Sequence, residues 1–397
     1  MDSHPTLCEA IARHITTSPQ QKITFAEYMD LVLYHPQYGY YSTQAAKLGK
    51  EGDFFTSVHL GADFGELLAE QFVQMWELLG KPEPFHLVEM GAGQGYLALD
   101  ILKYIQQQYP DFFQCLDYII VERSLTLRQI QQEKLLEFPV NWQTLEIISS
   151  NSIIGCFFSN ELVDAMPVHQ FTIHGGELQE IYVTTRELAG DKERSKFSQY
   201  LFAEVTGEPS TPQLHSYFES LGIDIYHYPD EYQSEVNLAA LQWLSIVADR
   251  LQRGYVLTID YGYSDNRYYN PRRSQGTLQC YWHHQRHNNP YINIGQQDIT
   301  AHVDFTALEK WGDRCGLKSV GFTQQGLFLM ALGLGQRIAS LSYTEQPISQ
   351  VLHRRDSLHQ LLDPLGLGGF GVLLQTKGLQ ETDVSQPLKG FIIPESA

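Results

Sequence analysis

The stretch His86-Leu87-Val88-Glu89-Met90-Gly91-Ala92-Gly93-Gln94-Gly95-Tyr96-Leu97 constrains the fold more than any other. A short apolar run enters three glycines on alternate positions, and a helical pattern follows at once. An acidic residue stands two places before the first glycine. Strand, glycine turn and helix in that order form the first βα unit of a doubly wound sheet, where a nucleotide-like cofactor meets the loop. The chain then alternates. Residues 85–90 read as a strand and 94–108 as a helix. Asp117–Val121 is a strand ending at Glu122, 124–137 a helix, and Ile153–Ser159 a strand ending at Asn160-Glu161. Such alternation predicts an α/β fold of parallel strands covered by helices on both faces.

Elsewhere the rhythm changes. Residues 6–34 read as two helices, with Thr24 as N-cap of the second. A helix carries Phe64, Leu67, Leu68, Phe72, Met75, Trp76 and Leu79 on one face and stops at Gly80. Val168–Ile173, Leu178–Thr185 and Tyr200–Val205 suit short antiparallel strands. Helix 236–252, ending at Gly254, and strand Tyr255–Ile259 restore the alternation. Residues 263–303 look irregular, as a lid or binding loop does. Helix 305–315 and strands near 318–322 and 370–376 would close the sheet. We therefore expect a helical extension with a cofactor-covering loop at 1–62. A Rossmann-like core would follow at 63–167 and 236–397, interrupted by an antiparallel substrate or partner region at 168–235.

The glycine loop narrows the cofactor. A dinucleotide fingerprint needs its third glycine three places after the second, and that place holds Tyr96. The pattern Glu89-x-Gly91-x-Gly93-x-Gly95 instead resembles the loop of class I S-adenosylmethionine-dependent methyltransferases. That cofactor has no phosphate and carries an ammonium that Glu89 could satisfy. Glu122, 27 residues after Gly95, could take the ribose hydroxyls. This acid serves any nucleoside and does not by itself choose the cofactor.

Composition bounds the partners. The 397 residues carry 27 Lys and Arg against 46 Asp and Glu, a formal net charge of −19. Such a surface repels phosphate backbones, so nucleic acid is not an expected partner. The five cysteines are scattered and form no CxxC pair, which suits a reduced compartment rather than a disulfide framework. No apolar run approaches the roughly 18–20 residues of a membrane span. Neither a signal nor a transit pattern is visible, so a cytoplasmic location is expected, or the mitochondrial matrix for a mature organellar form.

Six blocks in order resemble the MidA-like methyltransferases: Tyr34-His35-Pro36-x-Tyr38-Gly39-Tyr40-Tyr41; Gly52-Asp53-Phe54-Phe55-Thr56-Ser57 with Phe64-Gly65-Glu66; Val88 to Gly95; Ser159-Asn160-Glu161-Leu162-Val163-Asp164-Ala165-Met166-Pro167; Ile259-Asp260-Tyr261-Gly262-Tyr263; and Thr300-Ala301-His302-Val303-Asp304-Phe305. Mitochondrial members of that family are complex I assembly factors with protein arginine methyltransferase activity. The resemblance runs from about residue 23 to about 378. It implies a seven-stranded class I methyltransferase sheet, S-adenosyl-L-methionine as cofactor, and a protein substrate with an exposed arginine, of a complex I-like subunit. One departure stands out. After Thr56-Ser57 the family usually continues Pro-Glu, and this chain has Val58-His59, so no carboxylate role carries over there.

The chemistry selects candidate residues. A guanidinium starts fully protonated and needs fixed carboxylates to orient it and stabilise the cation formed. Glu161 is the expected grip, with Asp164 as second acid and Asn160 beside them; the bland alternative makes Asn160 or Asp164 an N-cap. His302 is a candidate proton acceptor, unless it merely packs and Thr300 or Asp304 caps the next helix. Asp53, Thr56 and Ser57 could fold over the cofactor, whereas Tyr34–Tyr41 is expected to pack the N-terminal helices. His283-His284-x-x-His287 lacks a carboxylate or cysteine, so no metal is expected. Two rival functions remain: methylation of a small molecule or another side chain, and a cofactor-binding assembly chaperone of a respiratory complex.

Overall fold

A seven-stranded sheet forms the centre of the computed structural model, which describes residues 3–43, 56–187, 200–283, 285–343, 347–380 and 386–392. Its strands are β1 (Phe85–Met90), β2 (Leu116–Val121), β3 (Val140–Gln143), β4 (Ile153–Asn160), β5 (Leu251–Asp260), β6 (Lys318–Gln324) and β7 (Gly371–Lys377). They lie in the order β6-β7-β5-β4-β1-β2-β3. All neighbours are parallel except β7, which runs antiparallel to both β5 and β6. Going out from β1 the chain adds β2 and β3, then returns to place β4 on the other side. The carboxyl ends of β1 and β4 therefore flank a topological switch point, where such sheets bind ligands.

The strand period of two decides the packing. Leu87, Phe158 and Leu257 face one core with α3 (Asp63–Leu78) and α4 (Tyr96–Gln108). Their neighbours Val88, Phe157 and Val256 face the other, with α6 (Leu238–Arg250) and α7 (Phe305–Arg314). Each such buried side chain contributes about 1.5–3 kcal/mol. The remaining elements named below are α1 (Pro5–Thr17), α2 (Phe25–Tyr34) and α5 (Leu125–Lys134). Thr24 starts α2 in a reciprocal capping box with Glu27, and Asp304 caps α7 by accepting from Ala307 N at 3.1 Å.

A second sheet is wholly antiparallel. His169–His174, Glu177–Glu187 and Tyr200–Gly207 match the expected strands, and Gln233–Val236 and Ile23–Thr24 add two more. The N-terminal extension is thus stitched to this sheet through Ile23–Thr24. These extra strands are short and polar, and only tertiary partners reveal them. The same holds for β3, which is an edge strand without an apolar run.

Residues 263–303 differ from the irregular loop expected. They hold a three-stranded sheet of Gln285–His287, Gln279–Trp282 and Asp298–Thr300. Buried Glu235 anchors it by accepting from Thr277 N, Thr277 Oγ1 and Leu278 N. Side-chain bonds across 42 and 43 residues leave no mark on hydropathy. Likewise α6 runs directly into β5 at Leu251, three residues before Gly254. Among the described residues no helix is long and apolar enough to cross a membrane.

Candidate functional site

A cleft open to solvent, about 1120 Å³ of space with its open mouth included, lies at the carboxyl ends of β1, β2 and β4. At its β1 end Glu89 is buried and accepts from the Tyr118 hydroxyl at 2.7 Å. Burial pushes its carboxyl up to about 7, with Tyr118 opposing the rise. Gly91 donates to the Val121 carbonyl at 3.0 Å, which ties the loop to β2. Gly93 has a φ of 52°, and a Cβ there would meet nothing within 4 Å. The bare backbone faces the open cleft, so a ligand can approach it closely. Gly95, at φ 76°, is the N-cap of α4 and turns toward Gln131 instead of the cleft.

Glu122 closes this end. Its Oε1 accepts from Ser124 N at 2.9 Å and its Oε2 from Gln131 Nε2 at 3.0 Å. The same Gln131 nitrogen donates to the Gly93 carbonyl at 2.8 Å, and Gln131 Oε1 accepts from Trp142 Nε1 at 3.0 Å. One buried amide thus links the glycine loop, Glu122 and β3. Sequence reasoning missed Gln131, because α5 is mostly polar, with Leu125, Leu127 and Ile130 its apolar residues, and shows no reason to bury this side chain.

At the β4 end, Asn160, Glu161 and Asp164 all line the cleft. No helix follows them, so neither Asn160 nor Asp164 is an N-cap. The chain makes a turn into strand His169–His174, with Glu161 in the left-handed region at φ 52°. Buried Asp260 sits beneath the turn. It accepts from Val163 N at 2.9 Å, Asp164 N at 3.2 Å and Tyr261 N at 2.8 Å. Burial, then the Asp164 carboxylate, push Glu161 up to about 8, against a 3.3 Å bond from Asn160 Nδ2. Burial also lifts Asp164 to about 6, although the Tyr261 hydroxyl facing it favours the ionised form. Among the described residues no lysine or arginine forms an ion pair with Glu161 or Asp164.

The remaining candidates separate. Thr56 lines the cleft with its hydroxyl 2.9 Å from His59 Nδ1, and His59 and Val58 line it too. Ser57 is fully buried behind them, bonded to Gln325 Nε2 at 3.0 Å. Asp53 lies outside the described residues. His302 does not line the cleft. It stacks on Tyr263 at 4.9 Å and meets Tyr261 edge-on at 5.1 Å, and burial lowers it to about 4. Tyr34 and Tyr41, expected only to pack, form part of the cleft wall. His284 lies outside the described residues, among which no group of three His, Cys, Asp or Glu is placed to hold a metal ion.

The family model described as "Putative S-adenosyl-L-methionine-dependent methyltransferase" matches residues 67–323. Protein arginine methyltransferase NDUFAF7, mitochondrial, of Mus musculus is 30% identical over 80% of this chain and 72% of its own length. Its Drosophila melanogaster homolog is 28% identical over 98% and 89%. A crystal structure from Burkholderia thailandensis, inferred there to be a methyl transferase and bound to S-adenosyl-homocysteine, superposes with a TM-score of 0.82. The two share 27% identity over 97% of this chain and 94% of that one.

Proposed function

The chain belongs to this family of S-adenosyl-L-methionine-dependent methyltransferases, its cofactor is S-adenosylmethionine, and from that premise we propose that the methyl acceptor is an arginine of a protein substrate. The donor set of the cleft fits the cofactor. Glu89 suits its ammonium, the bare Gly93 backbone gives close approach, and Glu122, presented by Gln131 and Ser124, suits its ribose hydroxyls. The cofactor supplies an electrophilic methyl on a sulfonium sulfur.

One observation carries the acceptor reading. Asp164 is buried and Glu161 half-buried, the Asp164 carboxylate raises the proton affinity of Glu161, and both open onto the cofactor cleft without an ion-pairing lysine or arginine among the described residues. A guanidinium is a planar cation that would discharge this repulsion and accept a bidentate carboxylate. Glu161 would orient the guanidinium and Asp164 would share its charge, while Asn160 steers Glu161. As the new N–C bond formed and the methyl C–S bond broke to leave a neutral thioether, the guanidinium would give up one N–H proton, and a carboxylate of this pair would receive it. His302 would remain neutral behind Tyr261.

The names of the relatives point the same way, and the resemblance extends the proposal to a subunit of a respiratory complex I-like assembly. The test is mass spectrometry of proteins from cells with and without the gene, complemented by wild type or Glu161→Gln. An arginine methylated only with the wild-type gene supports the reading. Full function of the Glu161→Gln strain, with its partner still bound, would favour a chaperone; a methylated small molecule would favour the other rival.

A further inference from the structure

The cleft has a second wall that the loop and the β4 turn do not build. Tyr34 closes α2, Tyr41 lies in the short helix Tyr40–Thr43, and Asp298 begins the strand Asp298–Thr300. All three line the same cleft as Glu161 and Asp164. Asp298 is buried at 3% exposure, an unusual place for a carboxylate. The Tyr41 hydroxyl lies 2.9 and 3.1 Å from its two oxygens, and Ile299 N donates to it at 2.8 Å. The Tyr34 hydroxyl donates to the Ala165 carbonyl at 2.8 Å, so this wall is bonded directly to the chain just after Asp164. The rings of Tyr34 and Tyr41 stack at 5.3 Å with 25° between planes.

Two features point to a cationic occupant. Asp164 is buried at 5% exposure and lines the cleft, and its Oδ1, with only the Tyr261 hydroxyl facing the carboxylate, makes no hydrogen bond of good geometry. A buried carboxylate oxygen left unsatisfied awaits a donor. The aromatic pair, meanwhile, already accepts a guanidinium. Arg123 places its own over the Tyr34 ring at 4.7 Å to the centroid. Acids on two walls of one cleft, beside tyrosines that already hold a guanidinium, match a flat cation rather than a neutral or anionic side chain.

We propose that Asp298 and Tyr41 form a second jaw of the acceptor site, opposite Glu161 and Asp164, and that this jaw makes the enzyme select a guanidinium over its neutral isostere. The inference rests on the arginine reading above and adds to it the residues that set specificity. Tyr41 acts through Asp298. Its hydroxyl holds the carboxylate in place until the substrate's N–H groups take over one of its oxygens. The jaw is supplied by the N-terminal extension and by the 279–300 sheet, so two segments outside the parallel strands complete the site.

The experiment uses the full chain saturated with S-adenosylhomocysteine. Binding of Gly-Arg-Gly amide is measured by calorimetry beside its citrulline and lysine counterparts, for wild type, Asp298→Asn and Tyr41→Phe. The wild type should prefer arginine over citrulline by tenfold or more. Asp298→Asn should lose most of that preference, and Tyr41→Phe part of it, with S-adenosylhomocysteine affinity unchanged within threefold. Asp298→Asn that keeps the full arginine preference overturns the jaw and leaves the arginine reading standing. A wild type with no preference for arginine over citrulline removes the arginine reading itself. Equal weakening of every peptide and of S-adenosylhomocysteine would show Asp298 to be a structural tie, and it too overturns the proposal. Should Asp298→Asn fail to fold, Tyr41→Phe decides, since it removes one hydroxyl and keeps the stacked ring.

Discussion

Gln131 donates one amide nitrogen to both Glu122 Oε2, at 3.0 Å, and the Gly93 carbonyl, at 2.8 Å. The bond pair fixes the distance between the acid and the glycine loop before any cofactor arrives. Preorganisation of this kind lowers the ordering cost of binding.

Gln131→Leu should therefore weaken S-adenosylhomocysteine by about ten- to a hundredfold, since it frees Glu122 and leaves half-buried Trp142 Nε1 without its acceptor. A fully buried unsatisfied donor costs about 1–3 kcal/mol, and a half-buried one costs less, so the melting temperature should fall modestly as well. Calorimetry on the folded variant checks the binding part. Affinity equal to wild type would mean that the link serves α5 packing alone.

Gly93→Val probes the loop itself. The φ of 52° disfavours any side chain, a β-branched one most of all, and the new methyls would enter the open cleft. Binding of S-adenosylhomocysteine should drop below detection while the circular dichroism spectrum stays that of a folded protein. A folded variant that binds normally would falsify the cofactor role of the loop.

Much of this site was legible because it follows from local chemistry. Glu89, Gly91, Gly93 and Glu122 sit at strand ends that hydropathy marks, and the alternation of strand and helix placed them on one edge of the sheet. Asn160, Glu161 and Asp164 followed the same logic. What the sequence hid depends on contacts between distant segments. Gln131 is a buried glutamine in a polar helix. Tyr34 and Tyr41 reach the cleft only because Ile23–Thr24 joins the antiparallel sheet and Ser124 Oγ bonds the Tyr41 carbonyl at 2.9 Å. The strands of 263–303 are anchored by Glu235, one buried carboxylate from another sheet. No periodicity could show these.

The acids of the cleft should make stability depend on pH in a definite direction. Glu89 and Glu161 are raised to about 7 and about 8 by burial, above the roughly 4.3 of an unfolded glutamate. A raised carboxyl favours the folded state while protonated. That contribution is fully present below about pH 4.3 and is lost as pH rises through 7–8. The ligand-free protein should melt progressively lower from pH 5 to 8.5. Glu161→Gln, which cannot ionise, should flatten the decline by about 2 °C or more. Parallel wild-type and variant profiles in scanning fluorimetry would show that Glu161 does not titrate in this range. In the methyl-transfer assay the wild-type rate should rise over the same interval, because the ionised pair is the form that orients a cation.

Asp63 titrates the other way and is a control outside the cleft. It begins α3 and joins two cations from the C-terminal helices. Arg354 Nε and NH2 lie 2.9 and 2.7 Å from its two oxygens, and Arg337 NH1 lies 2.9 Å from Oδ1. Although burial pushes its carboxyl up, the bonds from Arg354 and Arg337 hold it below the usual aspartate range. A lowered carboxyl stabilises the fold above the unfolded value of about 3.9, and that stability is lost as pH falls through the folded one. Removing one partner of a fully buried ion pair costs about 3–5 kcal/mol, and the cost here is smaller because Arg354 is 41% exposed and Arg337 keeps Glu66. Asp63→Asn should thus lower the melting temperature at pH 7 by several degrees, and the gap from wild type should shrink below about pH 4. None of the three residues lines the cleft. S-adenosylhomocysteine affinity should stay within threefold, and a larger loss would show that this clamp reaches the cofactor loop through α3.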